Sequence, residues 1–202
     1  MKLRWGSQSW LQPPFQAACS KQSVSLLALL LLTAISPLAA QTQKPWRQHL
    51  EDRLHTYGHR NWIVVADSAY PLQSNPGIET ILSSESQVET LRHVLEAVSK
   101  APHVRPIVYT DNELKFVPEE DALGIGAYRH LISGLFEKYL PGQKTETIPH
   151  EEIIKKLDEA SKTFNVLIVK STMTLPYTSV FLELRAGYWS DEAEKRMRQS
   201  IK

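Results

Sequence analysis

The chain has a single cysteine, Cys19, in 202 residues. One thiol excludes a disulfide framework and any zinc or iron–sulfur site built from several cysteines of one chain. Net charge is equally scant: 23 Lys plus Arg stand against 22 Asp plus Glu, a formal charge of +1. That balance gives no electrostatic case for nucleic-acid binding. Familiar catalytic signatures are missing too, with no P-loop, no G-x-S-x-G and no H-E-x-x-H. Gly124-Ile125-Gly126 lacks a third glycine, since Arg129 stands in its place. The pair reads as a helix entry and not as a dinucleotide fingerprint. What the chain does have is 42% hydrophobic content, enough for the core of one globular domain.

The two ends differ in kind. Residues 1–40 contain no acid and carry Lys2, Arg4 and Lys21 ahead of an apolar run from Val24 to Ile35. A helix of that length reaches about 18 Å, against a hydrocarbon core of about 30 Å. Pro37 breaks it, and Leu38-Ala39-Ala40 offers small residues before Gln41. The pattern predicts a secretory signal peptide over 1–40 and an exported, periplasmic or extracellular protein, with an uncleaved N-terminal anchor as the alternative. Without the leader, 162 residues remain, with 20 basic side chains facing 22 acidic ones and no thiol. Thiol catalysis is thereby excluded from the mature chain.

Trp46, Leu50, Leu54 and Tyr57 recur at helical spacing, and Gly58 follows at the position that favours a left-handed cap. NWIVVAD, 61–67, is a buried-strand run closed by an acid. Residues 71–77 carry loop chemistry. Ser84 with Gln87 predicts a capping box, and Val88, Leu91, Leu95 and Val98 the stripe of the following helix. A second strand is expected over 104–110, with Pro106 limiting its early pairing. After a polar stretch, 111–123, come a helix over 124–139, a short strand over 144–148, and a helix opened by Pro149. NVLIVK, 165–170, reads as buried strand, VFLELRA, 180–186, as half-exposed strand, and 190–202 as a charged, loosely docked tail.

Strands alternating with helices over one short domain predict a single three-layer α/β/α sandwich with a largely parallel sheet. Such sheets bind ligands at the carboxyl ends of their strands. That directs attention to Asp67 and its loop, to Thr110 through Glu113, and to the loop 171–179. The polar residues in and near these segments each admit a bland reading. His59 after a helix cap can be a solvated turn residue. His150, three, four and seven residues before Ile153, Ile154 and Leu157, turns inward and can be a hydrogen-bonded structural group. Tyr177, in a Pro-led loop with Thr178 and Ser179, can simply close a sheet edge.

The order of these residues resembles a known family. GHRNWIVVADSAYP, 58–71, is similar to the opening signature of the RbsD/FucU family, the D-ribose pyranases and L-fucose mutarotases. There a Gly-His and an Asp-x-x-x-Pro bracket the first strand, as His59 and Asp67 do here. IPHEEIIKKLDEA, FNVLIVKST, PYTS and VFLELRAG resemble the family's His-led helix, buried strand, tyrosine loop and final strand. The resemblance spans about 45–189 and implies an RbsD-like fold. It implies His59 as catalytic acid/base and Asp67, His150, Tyr177, Thr178 and Ser179 as sugar-binding residues, with no cofactor and no metal. Ser179 stands where the family has Asn, which bears on sugar specificity and turnover.

The implied function is a monosaccharide mutarotase or pyranase acting on a ribose- or fucose-like sugar. A non-catalytic exported sugar-binding or sensing protein is the alternative, and a purely structural domain is the third reading. The implied partners are a monosaccharide and further copies of the chain in a ring-like homo-oligomer. Nucleic acid and stable membrane insertion after leader cleavage are not expected. An extended strand over 60–67 would separate His59 from Asp67 by up to about 26 Å. The chain must therefore bend sharply near Asn61, or the site must combine neighbouring subunits.

Overall fold

Trp62–Ala66 contains no polar side chain, so as a strand it needs cover on both faces. In the computed structural model, which describes residues 45–143 and 145–201, it forms β1 near the middle of a six-stranded sheet with all five residues buried. The leader expected over 1–40 lies outside the described residues. The other strands are β2 (Ile78–Leu82), β3 (Val104–Asp111), β4 (Thr145–Ile148), β5 (Val166–Lys170) and β6 (Val180–Ala186). Their order is β2-β5-β1-β6-β3-β4. The β1–β5, β2–β5 and β3–β4 pairings are parallel, and β6 runs antiparallel to both β1 and β3. The sheet is thus mostly parallel, as expected.

Helices α1 (Trp46–Thr56), α2 (Gln87–Ser99) and α3 (Ile125–Tyr139) cover one face. Leu50, Leu54, Leu91, Leu95, Ile125 and Ile132 pack there with Ile63, Val65, Leu167, Val169, Leu182 and Leu184. Helix α4 (His150–Ser161) covers the other, setting Ile153 and Leu157 among Trp62, Val64, Val166, Ile168 and Phe181. Alternate residues of β1 therefore enter opposite cores, the period of two that a central strand imposes. Each fully buried leucine or isoleucine contributes about 1.5–3 kcal/mol. The tail forms α5 (Asp191–Ser200), which buries no residue and is capped by Ser190 accepting from the Ala193 N–H at 3.1 Å.

Four local expectations need correction. The N-cap of α2 is Ser86, whose hydroxyl accepts from the Glu89 N–H at 3.3 Å, and not Ser84. Ser84 instead takes a left-handed turn at φ +57°. Likewise Gly58 is not the left-handed residue after α1; Arg60 is, at φ +75°. The Asn61 side-chain oxygen accepts from the Gly58 N–H at 2.9 Å and closes that turn differently. β2 was not expected, because an edge strand pairs on one side and IETIL carries two polar residues. Finally, β6 is not half-exposed: Val180, Phe181, Leu182 and Leu184 are wholly buried, since the strand inserts between β1 and β3.

Candidate active site

Topology gathers the candidate residues at one end of the sheet. β1 and β5 are parallel, so Asp67 and Ser171 leave it on the same side. β6 runs the other way, and its register pairs Val180 with Val65, which brings its entry loop back to Asp67. β3 and β4 end together, with Asp111 opposite Ile148, and α4 begins two residues later at His150. The polar end of each strand thus meets at one mouth.

Within the mouth, the Ser179 hydroxyl donates to Asp67 Oδ2 at 3.0 Å and accepts from the Asp67 N–H at 3.4 Å. Asp67 Oδ1 accepts from the Ala69 N–H at 2.9 Å, a short-range turn that stiffens the following loop. His150 Nδ1 lies 3.1 Å from Asp111 Oδ1. The His150 ring meets the Tyr177 ring edge to face, with centroids 5.6 Å apart. Tyr177 holds φ +55°, a conformation that costs an aromatic residue energy. The chain holds it there while leaving the residue 40% exposed, so the strained backbone presents the ring at the mouth beside His150.

Buried side chains support this arrangement from beneath. Gln87, fully buried, donates to the carbonyls of Val65 and Thr178 at 3.0 and 2.8 Å and accepts from the Ser171 hydroxyl. One amide therefore ties the end of β1 to both loops beside it. Both Glu113 oxygens accept from the His150 N–H at 3.1 Å, which caps α4 where Pro149 cannot and sets the carboxylate against the positive helix end. Thr178 is buried, and its hydroxyl donates to the Leu175 carbonyl at 2.9 Å. Its side chain is thus committed to the loop's own shape.

The structure brings together Asp67, His150, Tyr177, Thr178 and Ser179. It does not bring His59 to them. His59 is exposed in the turn before β1, and its neighbour Arg60 donates its N–H to the Leu184 carbonyl at the far end of β6. The five residues of β1 intervene, a span of about 17 Å. A recess of about 260 Å³ lined by Leu54, His55, Ala101 and His103 also lies towards that amino end, away from the mouth.

Asp111 was not among the residues picked out singly, although the segment Thr110 to Glu113 was. Its side chain is 1% exposed. Burial, opposed by His150 and reinforced by Glu113 and Asp67, pushes its carboxyl up to about 6. Tyr70 was missed as well; its buried hydroxyl has no hydrogen-bond partner among the described residues, and burial with nearby Asp158, Asp111 and Asp67 pushes the phenol up. A strand-ending acid and a loop tyrosine are too common for sequence alone to single out. Among the described residues, no three His, Cys, Asp or Glu are placed to hold a metal ion. No helix among them is long and apolar enough to cross a membrane.

Fold and mouth together define a single-domain α/β sandwich whose carboxyl-end site is built from histidine, carboxylate, tyrosine and serine. Residues 43–186 match the RbsD / FucU transport protein family, and the chain belongs to that family. Among solved structures it is similar to FucU from Bifidobacterium longum, at 14% identity and TM-score 0.50, covering 68% of this chain and 92% of that one. RbsD from Bacillus subtilis, solved with D-ribose, matches at 20% identity and TM-score 0.48 over 68% and 92%. The fucose mutarotase from Streptococcus pneumoniae, solved with L-fucose, matches at 21% and 0.45 over 72% and 98%. Comparison with curated proteins finds no significant match.

Proposed function

We propose that the protein is a cofactor-independent monosaccharide mutarotase or pyranase, acting on a ribose- or fucose-like sugar. The observation that carries this reading is family membership across 43–186, joined to a mouth whose groups suit an uncharged polyhydroxyl ligand. Ring opening needs a base to take the anomeric O–H proton. The electron pair released forms the carbonyl, the C1–ring-oxygen bond breaks, and an acid protonates the ring oxygen; closure reverses each step. Imidazole serves in either role near neutral pH, and the family resemblance of residues 58–71 gives His59 the part of acid/base. Asp67 accepts from sugar hydroxyls or orients a histidine, and Tyr177 stacks on the sugar's apolar face or donates to it. Thr178 and Ser179 shape the loop around the sugar.

His59 lies at the opposite end of β1, so a complete site requires the His59 end of one subunit against the mouth of another. We assign such a shared site to a ring-like homo-oligomer. The basic leader supports export, and N-terminal sequencing of the mature protein that begins near Gln41 would bear it out.

A second reading, non-catalytic sugar binding or sensing, draws on Ser179. Its hydroxyl is engaged by Asp67, and it lacks the additional donor of an amide. Saturation-difference NMR at the anomeric protons, with ribose and fucose panels, separates the two. Exchange that disappears in His59→Ala is the expected result. Binding without exchange supports the second reading, and neither binding nor exchange overturns both.

A further inference from the structure

The mouth and the loop that enters α3 hold four carboxylates whose partners differ in kind. Asp67 is engaged by a backbone N–H and a serine hydroxyl. Glu113 caps α4 through the His150 N–H. Glu119, at the entry to α3, accepts from the N–H groups of Gly124 and Gly126. These three bind backbone and shape loops. Asp111 alone of the four directs its carboxylate to an imidazole, and among the described residues that is its single hydrogen bond: Oδ2 is buried and finds no partner there. Burying a carboxylate costs several kcal/mol unless a partner offsets it, so the contact to His150 is the feature that explains Asp111.

We propose that Asp111 is the positioning residue of this site, holding His150 with its proton on Nδ1 and so presenting an unprotonated Nε2 to the mouth. The inference rests on the sugar-mutarotase reading for its use but not for its geometry. A carboxylate accepting from Nδ1–H fixes both the tautomer and the ring orientation of a histidine. Nε2 makes no hydrogen bond among the described residues, the side chain is 34% exposed, and the Tyr177 ring stands beside it. His150 is then more than a sugar-binding donor. Its Nε2 is an acceptor, able to take the anomeric hydroxyl proton while the acid from the neighbouring subunit protonates the ring oxygen.

The groups facing the pair come from every adjoining element: Asp67 and Tyr70 after β1, Glu113 after β3, Tyr128 on α3 and Tyr177 before β6. Three cations stand near: Lys115 and Arg129 line a recess that Asp111 also borders, and Lys170 lies at the end of β5. Arg129 is committed to the carbonyls of Leu114, Lys115 and Val117 and Lys170 to that of Tyr70. Among the described residues the His150 imidazole is the group that hydrogen-bonds the Asp111 carboxylate directly, and the elevated proton affinity of that carboxyl agrees with a thinly compensated charge.

The test is ¹⁵N-edited NMR of the full mature chain labelled at histidine, at pH 8, with His150 assigned through His150→Gln. The Nδ1–H tautomer is expected in the wild type, giving way to a mixture with Nε2–H in Asp111→Ala. If that variant does not fold, Asp111→Asn, with the same shape and a weaker acceptor, should raise the Nε2–H fraction. A wild type dominated by Nε2–H overturns the proposal, as does a tautomer unchanged in the variant that folds. Activity adds a separate reading: kcat for sugar exchange should fall about 10- to 100-fold with KM nearly constant. A lone Nδ1–H tautomer with no sugar exchange in the wild type sustains the positioning role and defeats the mutarotase reading instead.

Discussion

At the scale of single residues, the mouth trades stability for placement. Tyr177 carries a left-handed backbone so that its ring can face His150, and Asp111 carries a carboxylate into a nearly dry position. The second has a measurable pH signature. The carboxyl of Asp111 is raised from its ordinary 3.8 to about 6 in the folded chain, so the folded state holds the proton more tightly than the unfolded state. Its contribution is full below pH 3.8 and is lost as the pH rises through about 6. Asp111→Asn does not titrate, so between pH 4 and 7 it should gain on the wild type by on the order of 2 kcal/mol, allowing for solvent at the mouth. Urea unfolding at the two pH values measures this, and a constant difference would contradict it. The sequence marked 110–113 as a strand end but could not separate Asp111 from Asn112, because burial of a side chain depends on α4 and on the loop before β6.

At the scale of elements, hydrophobic periodicity carried most of the information and caps carried the errors. The stripe Leu91, Leu95, Val98 marks α2 correctly, since a core-facing helix must repeat near 3.6 residues. Its start was misplaced by two residues because three serines, Ser83, Ser84 and Ser86, compete for the cap. Only Ser86 combines extended backbone with a free N–H three residues ahead. Ser86→Ala should therefore lower stability by about 1 kcal/mol. Ser84→Ala, whose residue makes no capping bond, should cost less than the Ser86 change. Thermal melts of the two variants decide between the caps. The edge strand β2 escaped notice for the complementary reason. Its residues are neither buried nor strictly alternating, and it owes its conformation to pairing with β5.

At the scale of the molecule, the decisive fact is separation. β1 puts His59 and Asp67 at opposite ends, and the turn at Gly58–Asn61 does not fold His59 back. A monosaccharide cannot bridge a span of about 17 Å. The shared-site proposal thus predicts complementation: His59→Ala and His150→Ala, each inactive alone, should recover part of the activity when subunits are mixed and exchanged. Analytical ultracentrifugation should find an oligomer under the assay conditions. An active monomer would sink the shared site.

The sequence alone determined the family and every strand but the edge strand β2, because strand burial, helix periodicity and the step from His59 to Asp67 are properties of neighbours along the chain. It also determined the absence of a thiol beyond Cys19. The tertiary structure decided the site. That β6 enters antiparallel between β1 and β3 is a matter of topology, and it alone returns Tyr177 and Ser179 to Asp67. Asp111 meets His150 across 39 positions of sequence because β3 and β4 end in register. No local pattern encodes either contact, since both arise from the packing of segments that are distant in the chain.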